Sequence, residues 1–392
     1  MARTPKIALL IESSRGAGRA LLCGIAQYAH DHGPWSFYWE PRGLETAWPV
    51  VESLEADGII IRGVAQLDKL LALGVPTIVA GHRNEVASGF VNLVTDSATI
   101  ARLAAEHLLE CGFKHFAYCG FQDTQLEHAN WSQHRQASFE ERIVAAGMAR
   151  PPSYTLAPLD KNWGRERAEL ARWLGNLPKP VGIMACNDDC GVQVMEACKV
   201  AGLAVPETVG VIGVDNDEVV CGLADPPMSR VVVQFENAGY LAARALDHLM
   251  KRRKKVSGQI LVSASHVFTR RSTDTIAIEN PHLARALRYI RDQAGINLSV
   301  NDVAQVTGIS RRGLERLFRQ HTGDSILEAI RRERTGQIAR LLVETPLSIR
   351  QIADRMGFPD TQHFARYFRS TKKMSPLAWR RKFARPLAQT GG

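Results

Sequence analysis

The first 270 residues alternate short apolar runs with amphipathic stretches. The runs Ile7–Ile11, Ser36–Trp39, Gly58–Ile61, Thr77–Val79, Phe90–Val94, Phe116–Tyr118, Gly182–Ala185, Val209–Val214 and Arg230–Val233 read as strands. Between them, Ser97–Cys111, Arg135–Ala146, Arg165–Leu174 and Gly191–Ala201 carry helical periodicity. Strand and helix in alternation predict βαβ units and parallel sheets covered on both faces. Val209–Val214 is apolar almost throughout, as a central parallel strand is. A helix over Glu236–Lys251 ends in the basic run Lys251–Lys255, a favourable sign at the negative end of its dipole. A strand over Gln259–Thr269 follows, and Asn280-Pro281 marks a boundary.

Beyond Pro281 no strand signal remains, and helical periodicity runs almost to Phe383. This part contains an internal repeat. Ala304 and Ala353, Gly308 and Gly357, and Ile309 and Phe358 stand 49 apart; Leu314 and Phe364, and Phe318 and Phe368, stand 50 apart. Each position has a physical reason. Ser299 and Ser348 accept from free amides at a helix start. The small Ala lets two helices cross closely, and the Gly takes the positive φ of a tight turn. Ser310 and Asp360 cap a second helix. That helix turns Leu314, Leu317 and Phe318, or Phe364, Tyr367 and Phe368, inward. Its outer face carries Arg311, Arg312, Glu315 and Arg319 in one copy and Thr361, Gln362, His363, Arg366 and Arg369 in the other. Long donors on a helix that fits a major groove suit base and phosphate contacts.

Charge sharpens the picture. The chain of 392 residues carries a net +9, unevenly spread. From residue 281 onward there are 21 Lys and Arg against 9 Asp and Glu, and the preceding part is mildly acidic. A basic, Arg-rich end domain points to nucleic acid as partner. No stretch approaches the roughly 20 apolar residues of a membrane helix. Ile7–Ile11 is too short for a signal-peptide core, so a cytoplasmic protein with no membrane partner is expected. The seven cysteines form no C-x-x-C pair, and no metal site or cofactor is expected. Gly16-Ala-Gly18 lacks the third glycine of a dinucleotide loop, since Leu21 stands there. No Ser-His-Asp or His-Glu-x-x-His constellation supports a sugar-processing enzyme, the alternative of another class; no enzyme is expected.

Residues Leu283–Phe383 resemble the AraC/XylS DNA-binding domain. The residues that carry the likeness include Ser310, Leu314, Arg316, Phe318, Gly323, Arg334, Ile352-Ala353, Gly357-Phe358, Phe364, Phe368 and Pro376-x-x-Trp379-Arg380. The resemblance implies two helix-turn-helix units, about 299–321 and 348–371, bridged by a long helix near Ile326–Val343 and entering successive major grooves. Lys373 stands where that family usually has Gly, and Gly336 lies inside the bridging helix.

The first 270 residues resemble the effector domain of lac repressor relatives, which share the periplasmic sugar-binding fold. Gly58–Ile61, Gly74–Ile78, Val94-Thr95-Asp96, Arg135-x-x-Ser138-Phe139, Ala185–Asp188, Val214-Asp215-Asn216 and Arg270–Thr273 carry this likeness. The implied fold is an α/β two-lobed periplasmic-binding-protein-like sensor with parallel sheets, followed by an all-α double helix-turn-helix domain. The domains fall at 1–274 and 283–392 with a linker at 275–282. Lobe crossings are expected near 118–120, 231–234 and 255–259. Such a sensor joined to such a reader resembles the xylose operon regulators. That implies D-xylose as effector, a homodimer on paired promoter half-sites, and RNA polymerase as a partner in activation. A repressor for another pentose or hexose is the alternative.

Ligands of open α/β sheets bind beyond the carboxyl ends of the strands. Asp96, Asn187, Asp188, Asp215 and Asn216 follow predicted strands there, with hydroxyl-binding carboxylates and amides. Asp96 is expected on one lobe, and Arg135, Asn187 and Asp215 on the other. Arg135 adds a fork of donors, and Trp163 and Phe235 add apolar faces for a sugar ring. Glu12, Ser13 and Arg15 follow the first strand and either touch ligand or cap the next helix.

Overall fold

The computed structural model describes residues 3–42, 53–62, 67–80, 90–121, 131–157, 163–215, 217–252, 258–274, 280–295 and 297–383. Asn216 and residues 275–279 of the expected linker lie outside these. Twelve strands among the described residues form two six-stranded sheets, numbered in chain order. The first holds β1 (Lys6–Leu10), β2 (Ser36–Trp39), β3 (Gly58–Ile61), β4 (Thr77–Val79), β5 (Val91–Thr95) and β11 (Gly258–Val262), ordered β11-β5-β4-β3-β1-β2. The second holds β6 (His115–Phe121), β7 (Ser153–Leu156), β8 (Val181–Ala185), β9 (Val209–Asp215), β10 (Ser229–Val233) and β12 (Ala264–Phe268), ordered β12-β10-β9-β8-β6-β7. All pairs are parallel except β10 with β12. Every residue of β3, β8 and β10 is buried, as strands covered on both faces must be.

In chain order the sensor helices are α1 (Gly16–His32), α2 (Leu67–Ala72), α3 (Ser97–Glu110), α4 (Trp131–Ala145), α5 (Trp163–Asn176), α6 (Asp188–Val200), α7 (Glu218–Leu223) and α8 (Phe235–Arg252). Helices α1 and α8 meet backbone to backbone on the first sheet. A Cβ at Gly24 would lie 1.9 Å from the Glu236 carbonyl oxygen, and one at Gly239 2.1 Å from that of Leu21. Only glycine permits this approach.

The chain changes lobe at three adjacent points: Asp96 between β5 and α3, Gln234 between β10 and α8, and Ser263 between β11 and β12. The points are stitched together. Asp96 N–H donates to the Val262 carbonyl at 3.0 Å, and Gln234 N–H to that of Ser263 at 3.0 Å. Two expected crossings are corrected. Residues 118–120 lie inside β6, an interior strand paired on both sides. Of the span 255–259, the described part, Gly258 and Gln259, belongs to β11, and the third crossing falls at Ser263 instead. The run Gln259–Thr269 is two strands in two sheets, because β11 joins β5 while β12 turns back along β10. Asp96 therefore stands on a crossing rather than on a lobe.

The C-terminal part consists of α9 (Pro281–Asp292), α10 (Val300–Thr307), α11 (Arg311–Thr322), α12 (Ile326–Glu344), α13 (Ile349–Arg355), α14 (Thr361–Lys372) and α15 (Pro376–Phe383). Two separate apolar cores share α12. Its first half packs Ile326 and Ile330 with Leu314 and Phe318; its second packs Ile338 and Leu342 with Phe364, Phe368 and Trp379. Ser299, Ser325 and Ser348 each close a capping box. Gly308 and Gly357 adopt φ of 70° and 69°, the left-handed turn between the helices of each unit.

Arg334, mid-α12, joins the two cores. It donates to Asn297 Oδ1 at 2.8 Å and to the Met356 carbonyl, and it lies 4.5 Å from the centre of the Phe358 ring. Arg334→Met removes both charged hydrogen bonds and should cost about 2–3 kcal/mol. Urea unfolding of the full chain checks this; an unchanged midpoint for the C-terminal part contradicts it.

The reader rests on the sensor. Arg332 Nε pairs with Glu110 at 2.9 Å, Arg291 with Asp274 at 2.9 Å, and Asn237 donates to the Lys382 carbonyl at 3.3 Å. Helix α3 thus runs from the lobe crossing at Asp96 to the bridging helix of the reader.

Candidate effector cleft and DNA-reading helices

A cleft of about 260 Å³ opens between the lobes at the carboxyl ends of both sheets. Arg135, Asn187, Asp188, Asp215 and Phe235 all line it. Arg135 reaches in from α4, 3 % exposed. Its guanidinium donates to the Cys186 carbonyl, lies 3.4 Å from Asp215 Oδ1 and stacks over Trp131 at 4.7 Å. Asp215 closes β9 at φ 107°, a conformation L side chains rarely adopt. Backbone strain of this kind gathers where a side chain has to be aimed, and here the carboxylate turns toward Arg135.

Asn187 caps α6, its side-chain oxygen taking the Cys190 N–H at 2.9 Å. Asp188 is buried beneath the cleft and accepts from Asp217 N–H at 2.7 Å. Burial, reinforced by the charge of Asp215, pushes its carboxyl up to about 8. Phe235, 8 % exposed, opens α8 at the crossing and supplies an apolar wall.

One expected residue is placed differently, and one lies beyond what the structure describes. Asp96 caps α3, accepting from Thr99 N–H at 3.0 Å, and it does not line the cleft; its neighbour Thr95 does. Trp163 opens α5, and its side chain lies outside the described residues. Of the three residues after β1, Glu12 and Arg15 line the cleft, and Ser13 does not.

Residues not singled out from the sequence complete the walls. Trp131 lies under Arg135, and Arg62 follows β3 directly. The position of Arg62 after an apolar strand was the available signal. Asp217 accepts from Gly16 N–H at 2.6 Å and from Arg19 Nη2 at 3.0 Å. Arg15 pairs with Asp189 at 2.9 Å. These contacts join α1 of the first lobe to α6 and α7 of the second.

In the reader, α11 and α14 expose parallel sets of side chains. Arg311, Arg312 and Arg319 are exposed on α11, and Thr361, Gln362, His363, Arg366 and Arg369 on α14. Ser310 caps α11 and Asp360 caps α14. Asp360 also holds His363 Nδ1 at 2.8 Å. Glu315 is turned away from the expected outer face: it is half-buried, and its carboxylate accepts from Ile326 N–H at 3.4 Å, at the start of α12. Lys373 takes φ 55° at the end of α14, the conformation for which the AraC/XylS pattern uses glycine.

A two-lobed ligand cleft coupled to two helix-turn-helix units defines a ligand-responsive, DNA-binding transcription regulator of AraC type. Residues 105–273 match the periplasmic binding protein-like domain family, and residues 303–382 match a helix-turn-helix domain family. The xylose operon regulatory protein of Haemophilus influenzae is 30% identical over 387 residues, 96% of this chain and 98% of that one. Its namesake in Escherichia coli K12 is 28% identical over 382 residues, 96% of each chain. The solved structure of the xylose-binding transcription activator xylR aligns with a TM-score of 0.62 at 28% identity, covering 98% of this chain and 99% of that one. The chain belongs to the family of xylose operon regulatory proteins. Among the described residues no helix is long and apolar enough to cross a membrane.

Proposed function

We propose that the chain is a D-xylose-dependent activator of genes for xylose uptake and breakdown, acting in the cytoplasm without catalysing a reaction. Residues 1–274 sense the sugar, and residues 283–392 read DNA as a homodimer on paired half-sites, in contact with RNA polymerase. The observation that carries the reading is the cleft. It joins hydroxyl-binding groups, Asn187 and Asp215, to an apolar wall at Phe235 and an Arg donor at Arg135, in a volume of about 260 Å³. That lies just below the usual range for small-molecule sites and suits a monosaccharide. The family relationship and the xylose-binding relative support xylose among monosaccharides. Ser310, Arg311, Arg312, Arg319, Thr361, Gln362, His363, Arg366 and Arg369 are assigned to DNA, and Glu315 to the support of α12.

Calorimetry of the full chain against D-xylose, L-arabinose, D-ribose and D-glucose tests the effector. D-Xylose is expected to bind most tightly. Preference for another sugar replaces the effector, and binding of none removes the sugar reading.

A further inference from the structure

Three arginines line the cleft and a fourth, Arg19, stands behind it; all but Arg62 have a carboxylate partner. Arg15 pairs with Asp189, Arg19 with Asp217 and Arg135 with Asp215. Arg62 has no ion-pair or hydrogen-bond partner among the described residues, and its Nη1 is shut off from solvent. A guanidinium has five N–H donors and no acceptor; Arg62 is half-buried, and closing its Nη1 off from water without a partner is costly. Burial accordingly lowers its proton affinity, against the pull of Asp215 and Glu12. The group is also held in place. The guanidinium carbon lies 5.8 Å from the centre of the Phe235 ring, and a Cβ on Gly18 of α1 would come within 3.4 Å of Nη1. Arg62 follows β3 at the mouth of the first lobe, opposite Arg135 and Asp215 of the second.

We propose that Arg62 is the first lobe's grip on the effector, donating to ring and hydroxyl oxygens of a neutral aldose and so selecting ligands with an acceptor at that end of the cleft. The inference rests on the sugar reading above and extends it to a residue outside the expected site. An unsatisfied buried donor persists where a ligand supplies the missing acceptor. The ligand is neutral because the charges already balance: three pairs are closed, and Arg62 faces Glu12 and Asp215 at longer range. A sugar acid would bring a further anion against Asp189, Asp215 and Asp217.

The test uses the full-length protein, Arg62→Met and Arg62→Lys, with D-xylose and D-xylonate as probes. Calorimetry should show D-xylose affinity falling by about 10- to 150-fold in Arg62→Met, the range for a lost charged hydrogen bond. Arg62→Lys should fall between it and the parent, having charge without the fork. Without sugar, the melting temperature of Arg62→Met should match or exceed that of the parent, because a costly unpaired cation is gone. Three results overturn the proposal: unchanged D-xylose affinity in Arg62→Met, a lowered sugar-free melting temperature in step with lost affinity, or tighter parental binding of D-xylonate than of D-xylose. A parent that binds no D-xylose overturns the sugar reading itself, and this inference with it.

Discussion

Raising salt from 50 to 200 mM should weaken operator binding by the full-length protein about a thousandfold to a hundred-thousandfold, if six to ten phosphates are contacted. Each Lys or Arg that meets a phosphate releases a condensed counterion, and that release loses its value as salt rises. The part from residue 281 onward holds 21 Lys and Arg against 9 Asp and Glu. Arg311, Arg312, Arg319, Arg366 and Arg369 are exposed on the two helices that would lie in the groove. Arg312→Ala and Gln362→Ala should do something different. Each should relax base preference at one operator position, costing about 1–3 kcal/mol for a bidentate contact, because both sit in the first turn of their helices. Titrations on operator variants at several salt concentrations separate the two effects. A flat salt response removes the phosphate contacts, and unchanged base preference in both variants means that other faces of α11 and α14 read the bases.

Asp215→Ala should lower effector affinity by about 2–5 kcal/mol, at least thirtyfold, while sugar-free DNA binding persists. The change removes a proposed hydroxyl acceptor and strands Arg135, which is 3 % exposed and has Asp215 as its ion-pair partner. Asp215→Gly makes the sharper comparison. It deletes the same carboxylate at a position where φ is 107°, so it relieves the backbone while abolishing the contact. Loss of sugar binding in both, with better stability in the glycine variant, assigns the effect to the site. Parental sugar affinity in either variant excludes Asp215 from it.

The reader was largely legible in the sequence because its signals are local. A serine three residues before an acidic or amide side chain closes a capping box, and glycine after the first helix takes a left-handed turn. Glu315 escaped because its partner, the start of α12, is set by tertiary packing. In the sensor, fully apolar runs marked the interior parallel strands. Edge strand β7 was missed because Ser153–Leu156 buries only one residue fully. The break at Ser263 was invisible because β11 and β12 form one continuous run of strand-like residues, and only their pairing partners divide them. The cleft residues foreseen were those following strands, such as Glu12, Asn187, Asp188 and Asp215, together with Arg135 and Phe235 near helix starts. Asp217, whose partners Gly16 and Arg19 lie across the lobes, gave no short pattern, and Arg62 offered only its place after an apolar strand.

The lobes are linked at Asp96, Gln234 and Ser263, and α3 starts at the first of these and ends against Arg332 of the reader. A ligand touching both lobes favours their closed arrangement by its differential affinity. In the proposed dimer, closure can reorient the two readers, and the second half-site then binds at the raised effective concentration of a tethered partner. The decisive measurement is titration of an operator with two half-sites, with and without saturating D-xylose, using the full-length protein at fixed salt. The sugar should tighten binding by about 5- to 150-fold, the usual span of allosteric coupling. Superimposable titrations, with D-xylose shown to be bound, would contradict sugar control of DNA reading.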